Sequence, residues 1–249
     1  MLRFSGFPEL FHAISTRGNG VSSGPYHARN LGFHVGDEAE NVRENRRILA
    51  RECGFKVENL VCAQQVHGSE IQIVTRAQRG RGALDWAGAL PACDALVTAE
   101  TGVPLLILVA DCAPILLFDP ENRVLAVVHA GWRGAVAGIV AKTVATMNAH
   151  FGSNPREIRA GIGPCLCAEN LEIGPEVAAQ IGEKSALAPR GEKFLLDLRE
   201  LLAHDLENAG IERENLEISP FCPKNRGDLF FSHRGQNGIA GRFGLVAWL

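Results

Sequence analysis

The stretch LLILVADCAPILLFDPENRVLAVVHAGWRG, residues 105–134, decides how the chain folds. Leu105 to Val109 is an apolar run of strand length, and Pro114 to Phe118 is a second one. Asp119-Pro120-Glu121-Asn122 is a turn, because Asp suits the first position of a type I turn and Pro presets φ at the second. Val124 to Val128 then runs back and ends at His129. Two such runs joined by so short a turn read as an antiparallel hairpin. Pairing Asp119 with Asn122 carries Cys112 opposite His129 at the open end. Directly opposed residues have Cβ atoms about 5 Å apart, close enough to share one metal ion. A slip by one residue would send the two side chains to opposite faces.

Outward from this hairpin, the other segments alternate without a regular βαβ period. His12–Ser15, Leu60–Val66, Glu70–Val74, Asp94–Thr98, Ile158–Ile162 and Leu216–Ser219 read as strands, and Phe230–Arg234 and Phe243–Trp248 close the chain. Asp37–Cys53 reads as a helix with Asp37 as N-cap and Gly54 as its stop. Arg43, Arg46 and Arg47 mark its solvated side. Ala135–Phe151 carries an apolar stripe of period 3.6 through Val136, Ile139, Val140, Thr143, Val144 and Met147. Pro175–Gly182 and Asp197–Gly210 complete the expected helices. Interspersed strands and helices with at least one antiparallel hairpin predict a mixed-sheet α/β fold. Thr16–Asp37 is a long stretch rich in Gly, Ser and Asn, and a loop of that length inside a domain is usually functional or disordered. It has no P-loop spacing.

Composition narrows the classes. With 249 residues, 46% of them hydrophobic, the chain can bury a sizeable core. A net charge of -3 and a pI near 6.2 give no basic footprint for nucleic acid. The seven cysteines, at 53, 62, 93, 112, 165, 167 and 222, show neither a disulfide framework nor a paired CxxC pattern. Reduced thiols in a cytoplasmic protein are the expectation. The N-terminus MLRFSGFPEL lacks the pattern of a signal peptide, and no apolar run approaches a membrane span. The sequence leaves the oligomeric state open.

The Cys112–His129 pair admits three chemistries. It can be a buried thiol beside a satisfied histidine, or a nucleophilic cysteine with His129 as base. It can also be a metal site that His67, at a strand end before Gly68, completes. One thiolate and two imidazoles suit zinc, and three protein ligands leave a fourth position open for water or substrate. Copper also accepts sulfur and nitrogen donors. Asp111 is placed to act as acid or base, or to orient a ligand. Arg133 lies in Gly131-Trp132-Arg133-Gly134 at a helix start, where free N–H groups and a guanidinium favour an anion such as phosphate.

The chain resembles the YfiH family, whose members are also called laccase-domain or multicopper polyphenol oxidase proteins. The resemblance rests on STRGNGVSSGPY (15–26), NLGFHVGD (30–37), ENRRILA (44–50), QQVHG (64–68), ADCAPILL (110–117), HAGWRG (129–134), GIGPC (161–165) and the FFSHR and GR segments of the tail. Departures are small: Asn19 stands where a second Gly is usual, Ala28-Arg29 where Ser-Leu is usual, and His233 where Tyr is common. The resemblance implies a four-layer α/β/β/α arrangement of mixed sheets in a single domain over residues 1–249. It implies zinc at His67, Cys112 and His129. It further implies purine nucleoside phosphorylase activity on adenosine, inosine and methylthioadenosine, with hydrolytic deamination of adenosine. Zinc lowers the pKa of a coordinated water towards about 7, which suits attack at a purine C6. The same resemblance carries rivals, a cysteine hydrolase or amidase acting on a peptidoglycan precursor and a copper-dependent polyphenol oxidase, and a non-enzymatic binding protein with a structural zinc is a further alternative. Multicopper chemistry would need many more ligands than one triad, and the eight histidines are scattered. The open fourth position speaks against a purely structural zinc.

Overall fold

The computed structural model describes residues 1–249. In chain order the strands are β1 (Phe11–Ile14), β2 (Val61–Cys62), β3 (Ile71–Ile73), β4 (Ala95–Thr98), β5 (Leu105–Val109), β6 (Ala113–Asp119) and β7 (Val124–Ala130). They continue as β8 (Arg159–Ile162), β9 (Glu172–Ile173), β10 (Leu187–Arg190), β11 (Lys193–Leu196), β12 (Leu216–Ile218) and β13 (Phe243–Trp248). The helices are α1 (Ala39–Cys53), α2 (Trp132–Val136), α3 (Ile139–Phe151), α4 (Pro175–Ala178) and α5 (Leu198–Asn208).

Two sheets dominate. One runs β1-β13-β5-β2 and the other β12-β8-β6-β7-β4-β3, with a small third sheet of β10-β11-β9. Parallel pairs β2–β5, β3–β4 and β8–β12 sit among antiparallel ones, so both large sheets are mixed. Every residue of β5, β6 and β7 is buried. That explains why these strands read as continuous apolar runs and not as alternating ones.

Alternate side chains of β6 and β7 feed two different cores. Leu116, Phe118, Leu125 and Val127 pack against Leu105, Ile107 and Val109 of β5 and Phe243 and Leu245 of β13, between the two sheets. Ile115, Leu117, Ala126 and Val128 pack against Ile139, Val140, Val144 and Met147 of α3 and Leu202 and Leu206 of α5. Leu106, Leu108 and Val246 face the other way, onto Leu49 and Cys53 of α1. The layers are therefore α1, four-stranded sheet, six-stranded sheet, and α3 with α5: the expected α/β/β/α order. Burying one such Leu or Phe side chain contributes about 1.5–3 kcal/mol, so this double use of β6 and β7 anchors the whole stack.

Several expectations are corrected. The hairpin turn is longer, running from Pro120 to Arg123, and Arg123 takes φ 52°. The Asp119 carboxylate accepts from the backbone N–H of Glu121 and Asn122 and closes it. Asp119 consequently pairs with Val124, and Pro114, not Cys112, stands opposite His129. The slip is two residues. It restores the side-chain parity, so Cys112 and His129 still share the face between the sheets. The helix expected over Ala135–Phe151 is split by Gly138 at φ 75°. Val136 falls on the short helix α2 and is exposed. The Pro175–Gly182 helix shortens to Pro175–Ala178, and β9, β10 and β11 carry no clear periodicity. Arg46 is not on a solvated face. It is 1% exposed, and its guanidinium donates to the carbonyls of Leu31, Gly82 and Ala83 while lying over the Phe33 ring. Three carbonyl acceptors and a ring face offset the cost of burying that charge.

Candidate metal centre and active-site cleft

Strand β5 belongs to one large sheet and β6 to the other. Ala110-Asp111-Cys112 is the crossing between them, and Asp111 makes the bend at φ 96°. The crossing lies at the edge of the inter-sheet core, where the layer opens into a cleft of about 360 Å³. Cys112 projects from the crossing, and His129 from the last turn of ladder on β7. The ligand atoms of His67, Cys112 and His129 all lie within 4.8 Å of one another. The His67 and His129 rings meet edge to face at 4.7 Å.

His67 reaches this point by a route the sequence did not show. The strand expected over Leu60–Val66 ends at Cys62, and His67 sits in the following loop at φ 60°. The side chain of Gln65 replaces the lost ladder. It accepts from the Leu108 N–H at 2.8 Å and donates to the Leu108 carbonyl at 2.7 Å.

Asp94, which the sequence marks only as the start of a strand, organises the cluster. Its carboxylate is fully buried and accepts from His129 Nδ1 at 2.7 Å. It also accepts from the backbone N–H groups of Val66, His67 and Gly68. Asp94 precedes β4, and the β4–β7 register places it beside His129, whose N–H donates to the Asp94 carbonyl at 2.7 Å. One carboxylate thus fixes the tautomer of one histidine and the backbone of the other. The readable signal was an acid at the start of a buried strand, which must find partners.

The charges follow from these contacts. Burial pushes the Cys112 thiol up, but His129 and then His67 outweigh it and bring it down to about 6. Burial pushes His129 down, while the Cys112 thiolate and the Asp94 carboxylate raise it to about 9. Asp94 stays ionised below its usual range despite burial, because His129 and the loop N–H groups bind it. Gly131, which begins α2, must lack a side chain: a Cβ there would come 2.8 Å from Cys112 Sγ.

The rim of the cleft is cationic. Arg133, Arg234 and Arg242 line it, with His34 and His233. Arg133 is exposed on the first turn of α2 and lies over the Trp132 ring at 4.3 Å instead of pairing with a carboxylate. Arg234 and Arg242 come from the C-terminal tail, where nothing in the sequence pattern marks them as cleft residues. Asp111 holds that tail: its carboxylate accepts from Ser232 Oγ and from the Arg234 N–H, each at 2.6 Å. Both of its oxygens are occupied, so Asp111 reaches the cleft as a tether for the rim. Arg242 is held from the Gly-rich loop, where Asn30 Oδ1 accepts its backbone N–H at 2.8 Å. Asn45 of α1 fixes the loop in turn through Val21, Ser22 and Asn30. The His34 ring lies tilted against Trp86, with ring centroids 4.6 Å apart. Burial, Arg242 and Arg46 lower its pKa to about 4, so its ring is neutral near pH 7.

Comparison with known proteins follows the same lines. Residues 11–249 match the family described as multi-copper polyphenol oxidoreductase laccase. The chain belongs to that family. Among laccase-family relatives, a purine nucleoside phosphorylase of Deinococcus radiodurans is 39% identical over 241 residues, covering 96% of this chain and 88% of that one. Purine nucleoside phosphorylase YlmD of Geobacillus stearothermophilus is 36% identical over 236 residues, covering 92% and 86%. The crystal structure of a Bacillus licheniformis protein named YfiH superposes with a TM-score of 0.96 at 32% identity, covering 98% of this chain and 94% of that one. That of Geobacillus stearothermophilus YlmD gives 0.93 at 34% identity, covering 98% and 93%. This laccase-family chain has no helix long and apolar enough to cross a membrane.

Proposed function

We propose that this chain is a purine nucleoside phosphorylase that also deaminates adenosine, with one zinc ion held by His67, Cys112 and His129. The observation that carries this reading is the cleft itself, which sets a thiolate and two imidazoles on its floor and three arginines on its rim. The curated relatives named as phosphorylases support it. One sulfur and two nitrogen donors, one of them with its second ring nitrogen on a buried carboxylate, are a zinc-type set. Zinc there would supply Lewis-acid charge in a position open to substrate. Copper satisfies the same donors, but the structure gathers a single such cluster, so multicopper oxidation has no further ligand sets to use.

In phosphorolysis the bond between ribose C1′ and purine N9 breaks, and a phosphate oxygen takes its place on C1′. The phosphate must therefore lie beside the sugar with its charge neutralised. Arg133 is the free guanidinium best placed for that, with Arg234 and Arg242 deepening the positive field. In deamination a water oxygen replaces the amino group at C6 and ammonia leaves, and no phosphate is consumed. Substrates are small molecules in both cases.

One observation favours a second reading. Cys112, His129 and Asp94 line up as thiolate, imidazole and carboxylate, the arrangement of a cysteine hydrolase. Product analysis of the purified protein with adenosine separates the readings. Adenine and ribose 1-phosphate that appear only with phosphate establish phosphorolysis, and inosine with ammonia in its absence establishes deamination. No purine product under either condition, with amide cleavage that survives chelation, overturns the proposal in favour of the hydrolase.

A further inference from the structure

Away from the cleft floor, two other cysteines meet. Cys167 lies in the loop after β8 and is half-buried, and Cys222 lies in the loop after β12 and is buried. Asn170 Nδ2 donates to both sulfurs, at 3.2 Å to Cys167 and 3.4 Å to Cys222. The same amide donates to Asn225 Oδ1 at 2.8 Å, and Asn225 Nδ2 lies 3.7 Å from the Cys167 sulfur. Arg199 pins the two loops together just before each cysteine, donating to the Cys165 carbonyl at 3.2 Å and the Phe221 carbonyl at 2.8 Å. No step at the His67–Cys112–His129 cluster uses this pair.

We infer that Cys167 and Cys222 form a reversible disulfide when the protein meets hydrogen peroxide. The geometry supplies both requirements of such a site: two sulfurs held by one amide, and donors that favour the thiolate of one of them. Burial pushes Cys222 up, but the N–H groups of Cys167 and Asn225 and the Asn170 amide outweigh it and lower it. Burial, Glu169 and Cys222 push Cys167 up to about 11. Cys222 therefore gives up its proton more readily and attacks, and Cys167 is the thiol that resolves it. The Cys222 sulfur attacks one peroxide oxygen, the O–O bond breaks, and the released hydroxide takes up a proton to leave as water. The sulfur is oxidised to a sulfenic acid. Cys167 then gives up its proton and attacks that sulfur, the S–S bond forms, and the S–O bond breaks with loss of a second water. Two thiols and one peroxide give one disulfide and two waters, so no other oxidant is needed. The bond would tie the loop bearing Leu166, which borders the cleft and donates its N–H to the Asp111 carbonyl, to the loop leading into the tail.

The test is a peptide map of the reduced full-length protein after hydrogen peroxide, capping with iodoacetamide and digestion without reductant. The expected result is one cross-linked pair of peptides carrying Cys167 and Cys222, lighter by two hydrogens than the separate peptides and absent after dithiothreitol. In Cys167→Ser, a change at the half-buried member, the cross-link disappears and a Cys222 sulfenic acid is trapped by dimedone. Both thiols recovered capped, at a peroxide dose that fully oxidises Cys112, would overturn the inference. So would Cys167 paired with another cysteine, or an untouched Cys222 in Cys167→Ser.

Discussion

Two buried carboxylates divide the cleft. Asp94 holds the floor: it binds His129 and the backbone around His67. Asp111 holds the rim: it binds Ser232 and Arg234 of the tail. The floor is made of a hairpin, its neighbouring strand and one loop, packed against the cores on both sides of the six-stranded sheet. The rim is gathered from α2, the Gly-rich loop and the last residues of the chain, and its arginines are tethered mainly by their backbones. The floor is thus rigid by packing, while the rim is assembled by hydrogen bonds between distant segments. Chemistry that needs fixed donors belongs to the first, and recognition of an anion that comes and goes suits the second.

Substitutions can break this division, and the largest effect is expected at Cys112. Cys112→Ala should abolish nucleoside turnover and leave the circular dichroism spectrum and melting temperature close to those of the parent, since the residue lines the cleft at the edge of the inter-sheet core. Retained activity would remove Cys112 from the chemistry altogether. Next, Asp94→Asn takes the ionised acceptor from His129 and should weaken zinc binding about 10- to 100-fold, measured by competition with a chelator, while phosphate recognition on the rim is spared. Unchanged zinc affinity would mean that Asp94 only ties the loop down. Arg133→Ala should do the converse. Losing one charged hydrogen bond to phosphate costs on the order of 1.5 kcal/mol at an exposed site, roughly tenfold in affinity. The phosphate KM rises by that factor and adenosine deamination is largely spared. An equal loss of both activities would place Arg133 with the floor.

The smallest expected effect lies outside the cleft and calibrates the comparison. Asp205 on α5 has a buried carboxylate oxygen without a partner, and burial raises its pKa to about 6. Between its unfolded value near 3.8 and about 6, the folded chain binds more protons than the unfolded one. Its contribution to stability is therefore full at low pH and is lost as pH rises through 6. Asp205→Asn should raise the melting temperature at pH 7.5, with the gain vanishing near pH 4, and leave turnover unchanged.

How much could be read beforehand follows the same division. The hairpin was legible because its two runs are continuous and apolar and its turn is short, and a two-residue error in register did no harm to the facing of Cys112 and His129. The layer order was legible only through the resemblance, since local periodicity does not say which strands share a sheet. Asp94 was invisible because its partner stands on a strand 30-odd residues away, paired through the β4–β7 register. Arg234 and Arg242 were invisible for the same reason at greater separation. Arg46 misled because helical spacing marks a face without showing that Leu31, Gly82 and Ala83 cover it with carbonyls.

The central claim is that the crossing from one sheet to the other, with the hairpin and the Asp94-bound loop, builds one three-donor metal site. Equilibrium dialysis of the metal-stripped protein against zinc tests it most directly, followed by cobalt substitution and near-ultraviolet spectroscopy. The account predicts one tightly bound ion per chain and a thiolate-to-cobalt band, both lost in Cys112→Ser, with binding strongly weakened in His67→Ala and His129→Ala. Wild-type protein that binds no ion, or binds it equally well without Cys112, would contradict the account.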